Sequence, residues 1–138
     1  MAYKYLEHVS MADVTVEATG KDLTEVFQSA ADATIKVMAK PETVEPRITK
    51  EISIENEDPA KLLYAFIEEL VYIKDADAIV FNKVDVKVEG NKCTATVKGD
   101  KADPSKQELE TDVKAITMHY YKLEQTQEGW RAQFVLDV

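Results

Sequence analysis

Cysteine and glycine are scarce in this sequence, and their scarcity narrows the chemistry it can support. The only cysteine is Cys93, so neither an internal disulfide nor a thiolate metal cage can form. The four glycines stand singly, and none opens a helix in the spacing of a phosphate-binding loop. Nucleotide binding of the usual kinds is therefore not expected. Cys93 lies in a segment of alternating apolar residues, which favours a buried thiol in the core.

Long apolar runs are also missing. No stretch approaches the roughly 18 apolar residues of a transmembrane helix, and the amino terminus lacks the hydrophobic block of a signal peptide. We therefore expect an intracellular, cytoplasmic protein that has no membrane partner. With 138 residues, of which 45% are hydrophobic, the chain can bury one core and is short for two. A single domain over residues 1–138 is predicted.

Arginine is limited to Arg47 and Arg131, and the formal net charge is −9. Proteins that follow a nucleic-acid backbone present a basic stripe, whereas the lysines here are interleaved with acidic residues along every segment. We therefore expect no direct nucleic-acid binding. The acidity fits a basic protein partner or a bound metal ion, and it would equally serve solubility alone.

Hydrophobic periodicity divides the chain into strands and two helices. Residues 13–18 alternate as in a half-buried strand, and the apolar spacing of residues 23–38 predicts a helix capped by Asp22 and Glu25. Asp58 and Pro59 begin a second helix. Its buried face should consist of Leu62, Leu63, Phe66, Ile67, Leu70 and Val71.

A period of two dominates the second half of the chain. Residues 84–88 and 93–97 predict a β-hairpin, and the polar residues 99–110 predict a mobile surface loop. Residues 113–123 are apolar on both alternating faces, which favours a central strand covered on both sides, and residues 130–138 complete a second hairpin. The predicted fold class is α+β, a mostly antiparallel β-sheet system with two amphipathic helices packed on one face.

Three carboxylates could form a metal site. Asp13 begins a strand, while Asp137 precedes Val138, whose α-carboxylate is charged. If the two strands lie side by side, these oxygen donors converge, and hard cations such as Ca²⁺ or Mg²⁺ prefer oxygen ligands. The alternative is that these aspartates near chain ends are merely solvated.

The two histidines offer weaker candidates. His8 lies in an irregular stretch between the first two strands, where it could orient a nearby carboxylate or be an ordinary surface residue. His119 lies within an apolar and aromatic strand, which favours a buried neutral imidazole over a catalytic one. Neither histidine has a context that presents a nucleophile, so no catalytic residue is predicted.

Three stretches, in order along the chain, resemble the archease family. Glu7-His8 and Ala12-Asp13-Val14 are similar to the family's opening His-Thr-Ala-Asp block, although residues 9–11 separate the histidine from the aspartate. Residues 62–70, followed by 79–81, are similar to its second helix and next strand. Residues 113–119 carry its Lys-Ala-Ile-Thr strand, and the chain closes with Asp-Val, as archeases do. Gln107 stands where the family often has histidine.

The resemblance implies a helper protein that is not itself an enzyme. Archeases promote guanylylation of the RtcB-type RNA ligase that seals tRNA halves, and they can widen its choice of nucleotide. Carried over by position, Asp13, Asp137 and the terminal carboxylate of Val138 would hold a divalent metal, calcium first and magnesium as the alternative. Lys114 would be a further functional residue, and we expect it to be buried beside an acidic partner. His8 is retained as a candidate contact to the partner.

Two other functions compete with this interpretation. A metal-dependent phosphohydrolase would use the carboxylates, a cation and Lys114 to activate water without any partner. A general chaperone for proteins that process nucleic acids should instead present a sizeable exposed apolar patch.

Overall fold

The computed structural model describes residues 1–6 and 13–138. Within these residues the chain forms seven β-strands, two α-helices and one short 3₁₀ helix at Pro41–Thr43. In chain order the elements are β1 (Ala2–Leu6), β2 (Asp13–Gly20), α1 (Leu23–Met38), β3 (Ile48–Glu55), α2 (Pro59–Asp77), β4 (Ile79–Glu89), β5 (Lys92–Lys101), β6 (Ala115–Thr126) and β7 (Gly129–Asp137). In this part of the chain neither helix combines the length and apolar character needed to cross a bilayer.

The strands form two antiparallel sheets. The first has the order β1-β2-β7-β6, and the second has the order β3-β5-β4. Every strand pair is antiparallel. The predicted α+β class, with two helices and mostly antiparallel sheets, is therefore confirmed. The first sheet joins the beginning of the chain to its end, because β2 pairs with β7.

Helix α1 begins at the predicted cap. The Asp22 carboxylate accepts a hydrogen bond from the backbone N–H of Glu25 at 2.9 Å, and the Glu25 carboxylate accepts one from the N–H of Lys21 at 3.0 Å. These two bonds satisfy N–H groups at the start of the helix. Gly20 leads into this turn, and a Cβ there would stand 2.3 Å from the nitrogen of Val26. Only glycine fits so close to the helix.

Helix α1 also covers an edge of the second sheet. The Gln28 amide donates to the carbonyl oxygen of Val84 at 2.6 Å and accepts from the N–H of Val86 at 2.9 Å. Thr24 does the same one turn earlier, since its hydroxyl accepts from the N–H of Val88 at 2.9 Å. These side chains replace a neighbouring strand along β4 and shield an edge that would otherwise be open to another chain.

Helix α2 supplies much of the hydrophobic core. All six residues predicted for its buried face are buried. Phe66 stacks on Phe27 of α1, with ring centroids 6.1 Å apart. The spacing of three and four residues predicted this helix well because its apolar stripe is continuous.

The β4–β5 hairpin is confirmed, but β5 is longer than predicted. Gly99 lies within β5, where it pairs with β3 and β4, and a Cβ at this position would stand 2.0 Å from the Val80 carbonyl oxygen. The predicted loop therefore begins at Ala102, not at Gly99. Cys93 is fully buried as predicted, and burial raises the pKa of its thiol to about 12.

The loop after β5 is tied to the rest of the protein, contrary to the prediction of a mobile segment. Buried Gln107 donates to the carbonyl oxygen of Lys101 and accepts from the N–H of Asp103. Farther along, the N–H of Glu108 bonds to the Thr43 hydroxyl, and Leu109 forms an isolated bridge with Ala39 after α1. The polar sequence was misleading because these residues satisfy their backbone groups through specific partners.

The prediction of a central, doubly covered strand at residues 113–123 is wrong. Strand β6 is an edge strand, and its register with β7 shifts between Thr117 and Lys122. In this bulge Tyr120 has a φ of 55°. Met118, His119 and Tyr120 are exposed, so His119 is not the predicted buried imidazole. Its ring instead lies 4.1 Å, centroid to centroid, from that of Tyr120.

An ion-pair cluster crosses the first sheet on the face opposite the helices. Arg131 Nε donates to Glu17 Oε1 at 2.5 Å, and Lys4 Nζ lies 3.1 Å from Glu17 Oε2. The Arg131 hydrogen bond is the main reason why the pKa of Glu17 is lowered, while burial acts in the opposite direction. Because Glu17 and Arg131 lie on β2 and β7, their pairing favours the observed register.

This ion pair should make stability depend on pH. A lowered pKa in the folded state means that Glu17 contributes stability above its unfolded pKa and loses it as the pH falls through the folded value. Glu17→Gln should lower the free energy of unfolding by about 1–2 kcal/mol at neutral pH. In urea titrations, the difference from the unsubstituted protein should shrink below about pH 4. A difference that is constant with pH would contradict this account, and Glu51→Gln on β3 is a matched control.

Candidate functional site

The predicted acidic residues meet at one end of the first sheet. Asp13, the first residue of β2, lies directly opposite Asp137, the last residue of β7. Residues opposite each other in an antiparallel pair project to the same face, with Cβ atoms about 4.5–5.5 Å apart. The two carboxylates therefore share one face, and both residues are partly exposed.

That face is the one turned away from the core. On β2 and β7 the alternate residues, including Val16, Ala18, Phe134 and Leu136, belong to the hydrophobic core shared with the helices. Asp13 and Asp137 occupy the opposite set of positions. The next pair on their face, Thr15 and Val135, is buried. The acidic pair therefore lies at the boundary between the buried part of this face and the part that is exposed to solvent.

Strand β6 brings a third segment to the same end of the sheet. Ala115 lies opposite Asp137 on the other side of β7. The preceding residue, Lys114, donates its backbone N–H to the carbonyl oxygen of Asp137 at 2.8 Å. The structure therefore places Asp13, Asp137 and Lys114 together, although they are far apart in sequence.

Lys114 differs from the prediction in its environment. Its side chain is exposed, and no ion pair joins its ammonium to an acidic group of residues 1–6 or 13–138. The prediction of a buried lysine beside an acidic partner is therefore wrong. It assumed that Lys114 shares the surroundings of Ile116 and Met118, but Ile116 is buried and Met118 is 64% exposed. An exposed ammonium is available to a partner molecule.

Val138 and His8 were also predicted to belong to the site. Val138 directly follows Asp137 and is partly buried. His8 lies outside the described residues. Among residues 1–6 and 13–138, no three His, Cys, Asp or Glu side chains form a group that could hold a metal ion. Among the described residues, the candidate metal site therefore has two side-chain carboxylates, those of Asp13 and Asp137.

The donor set is suited to a hard cation. Like charges directly opposite each other in a sheet are destabilising, and a divalent cation between two carboxylates offsets their repulsion. Calcium takes about six to eight oxygen ligands, which is more than three carboxylates usually supply. The remaining positions would be left to water or to oxygen atoms of a partner.

Sequence reasoning missed one notable side chain, Lys74 in the last turn of α2. Only 10% of this side chain is exposed, and its Nζ lies 2.5 Å from carboxylate oxygens of both Asp75 and Asp112. A signal was present, because Lys74 continues the helical spacing of Leu63, Ile67 and Leu70. Burial lowers the pKa of Lys74, but the hydrogen bonds that its ammonium donates to Asp112 and Asp75 outweigh this effect and raise the pKa overall.

The bulge in β6 exposes apolar side chains near this end of the sheet. Met118 is 64% exposed and Tyr120 is 60% exposed. A cleft of about 430 Å³ opens beside Met118 and is lined by Ala60, Tyr64 and Tyr121. The Tyr64 hydroxyl donates a hydrogen bond to the carbonyl oxygen of Ile116, and the Tyr121 hydroxyl donates one to that of Ala60. These bonds fix the positions of the two rings.

Comparison with known proteins assigns this architecture to a family. The sequence profile described as the Archease protein family (MTH1598/TM1083) matches residues 3–138. Protein archease of Pyrococcus abyssi is 38% identical over 141 residues, covering 99% of this chain and 98% of that protein. Protein archease of Thermococcus kodakarensis has the same identity and coverage.

Solved structures agree with this assignment. The solution structure of Methanobacterium thermoautotrophicum protein 1598 is similar, with a TM-score of 0.83 and 31% identity over 99% of this chain and 98% of that one. The crystal structure of a Thermotoga maritima protein, described as an archease and possible chaperone, shares the fold with a TM-score of 0.70 and 20% identity, covering 98% of this chain and 96% of that one. With a family match over nearly its whole length, this chain belongs to the archease family.

Proposed function

We propose that this protein activates an RtcB-type RNA ligase by presenting a carboxylate-bound divalent metal at the end of its first sheet. The observation that carries the proposal is the pairing of Asp13 with Asp137, which Lys114 joins through its backbone. These are the residues that the resemblance to archeases singled out. The protein itself supplies no catalytic group in this account, because the ligase performs the nucleotide chemistry.

The metal would connect the two proteins. Asp13, Asp137 and the Val138 carboxylate would hold the cation from one side, and oxygen atoms of the ligase or water would fill the remaining positions. Calcium suits this arrangement best because it accepts many oxygen ligands with irregular geometry, whereas magnesium demands near-ideal octahedral coordination. We therefore propose calcium, with magnesium as the alternative.

Lys114 would act beside the metal. Its exposed ammonium can pair with a carboxylate or phosphate of the partner, since a flexible lysine presents a point charge with three donors. We propose that it contacts the ligase near the nucleotide pocket when that site is ready for guanylylation. An activator shifts an equilibrium only by binding one state more tightly than another. The contacts of Lys114 and the metal should therefore be stronger in the guanylylation-competent state.

The carboxylate pair can be tested by multiple-turnover RNA ligation. Asp13→Asn and Asp137→Asn should each weaken the protein's stimulation of a purified RtcB-type ligase by about tenfold or more, because each removes a charged metal ligand. GMP incorporation into the ligase should fall in parallel. Asp85→Asn, which changes an exposed aspartate of the other sheet, is the matched control. Equal stimulation by all variants would remove this site from the proposal.

The Val138 carboxylate can be tested without changing any side chain. Adding Gly-Ser after Val138 moves the terminal charge away from Asp137 while leaving the strand sequence intact. We expect weaker calcium binding in titration calorimetry and weaker ligase stimulation, with an unchanged melting temperature. Full calcium affinity in the extended protein would show that the terminal carboxylate is not a ligand.

The exposed apolar side chains of the β6 bulge favour a second candidate function, that of a chaperone. Met118 and Tyr120 are largely exposed, and Met118 lines the apolar cleft beside α2. Exposed apolar surface marks sites of protein–protein interaction, which is what a chaperone requires. We infer that a chaperone activity of this chain would use this surface rather than the acidic end of the sheet.

Aggregation assays separate this candidate from the ligase activator. If the surface binds unfolded chains, Tyr120→Asn should reduce suppression of thermal aggregation of a client protein. Asparagine tolerates the positive φ of this position, so the fold should be kept. Tyr72→Asn is a matched control, because Tyr72 is 63% exposed on α2. Equal suppression by both variants, or none by the unsubstituted protein, would exclude this role for the bulge.

A further inference from the structure

We propose that Lys74 is a positioning residue, which holds Lys114 beside Asp137 by binding Asp112. The inference deepens the proposed function and rests on it for its functional consequence. The geometry that suggests it is the ion pair between the Nζ of Lys74, near the end of α2, and Asp112, two residues before Lys114.

The segment that leads to Lys114 is fixed at several points. The backbone N–H groups of Glu110 and Thr111 donate to the carbonyl oxygens of Met38 and Val37 at the end of α1, each at 2.9 Å. Asp112 follows with its bond to Lys74, and then comes Val113, which is fully buried. The segment thus contacts α1, α2 and the core before it reaches β7.

The burial of Lys74 determines which partner positions the other. Only 10% of the Lys74 side chain is exposed, compared with 69% for Asp112. A buried ammonium requires anionic or polar partners, and the packed helix fixes its position. Asp112 could be solvated in other positions of the segment, so the lysine draws the aspartate to one place. Helix α2 therefore determines the position of the segment, and the segment does not determine the position of α2.

The second carboxylate of the cluster serves as an internal comparison. Asp75 Oδ1 lies at the same 2.5 Å from Lys74 Nζ, but Asp75 is the neighbouring residue of the same helix. Its bond satisfies the ammonium without connecting α2 to another part of the fold. Only the Asp112 bond crosses to the segment before β6. Both aspartates therefore form the same kind of ion pair with Lys74, but only the pair with Asp112 links α2 to another segment.

A displacement of Asp112 would pass directly to the candidate site. Each extended residue spans about 3.3 Å, so Asp112 and Lys114 are separated by only about 7 Å of chain. Lys114 donates its N–H to Asp137, one of the two paired aspartates. Loosening the segment at Asp112 should therefore lengthen or break this hydrogen bond and let the exposed ammonium occupy a wider region. Helix α2 would in this way set the geometry of the acidic end of the sheet.

Hydrogen exchange tests the positioning without the ligase. In Asp112→Asn, the amide of Lys114 should exchange about tenfold faster than in the unsubstituted protein, because a charge-assisted bond that restrains local opening has been lost. Asp75→Asn should leave this exchange rate nearly unchanged. Amides of β2 and β7 away from the site should keep their rates in both variants, which separates local loosening from loss of global stability. Equal rates at Lys114 in the two variants would overturn the proposal.

Ligation assays test the functional consequence. At saturating activator, Asp112→Asn should reduce maximal stimulation of the RtcB-type ligase severalfold, while Asp75→Asn should not, and Asp112→Glu should recover part of the effect. Lys74→Met, which keeps volume and removes the charge, should behave like Asp112→Asn. Full stimulation by Asp112→Asn would overturn the functional role of Lys74. If the unsubstituted protein gives no stimulation, the proposed function fails instead, and hydrogen exchange alone decides whether Lys74 positions the segment.

Discussion

The antiparallel pairing of β2 with β7 is the constraint on which the candidate site depends. It places Asp13 opposite Asp137 because eight consecutive residues of β2 match eight of β7 without a bulge. Side chains alternate between faces, so a slip of one residue would send the core residues to solvent and move the acidic residues away from each other. The apolar inner face therefore enforces the register, and the Glu17–Arg131 pair on the outer face is compatible with the same register. Hydrophobic packing elsewhere in the sheet therefore determines where the residues of the candidate site lie.

The two faces of strands β2 and β7 have different roles. The inner face stabilises the fold, and the outer face carries the candidate site. The inner face packs on the helices, where burial of each large apolar side chain contributes roughly 1.5–3 kcal/mol. The outer face carries charged residues, and at its end Asp13 lies opposite Asp137. The packing of the inner face fixes the backbone positions of these two residues. Carboxylate oxygens are ligands of the kind that hard cations prefer, and the proposed function builds on this end of the sheet for that reason.

Sequence periodicity could predict the helices and hairpins because a continuous apolar stripe or alternation specifies each of them. The resemblance to archeases, and not periodicity, singled out Asp13 and Asp137, and their proximity had to be assumed until the register was known. Periodicity failed where tertiary context overrides local pattern. Strand β6 is apolar on both faces, but its bulge after Thr117 turns Met118 and Tyr120 outward, so the pattern did not show its edge position. Lys114 was expected to be buried for the same reason. The loop after β5 looked mobile because its anchors are individual hydrogen bonds of Gln107, Thr43 and backbone groups, and these leave no periodic pattern in the sequence.

Lys74 shows how a helix distant in sequence takes part in the geometry of this region. A lysine on the apolar side of α2 costs desolvation energy, and two carboxylates offset that cost. One of them, Asp75, would suffice to keep the ammonium paired locally. The second bond has a different effect, since it restrains the segment that carries Lys114 toward β7. The β2–β7 pairing, the end of α1 and the end of α2 therefore all restrain the short segment that leads to Lys114. A site assembled from separate elements in this way is positioned by the fold as a whole, and its geometry is sensitive to changes that leave every proposed metal ligand in place.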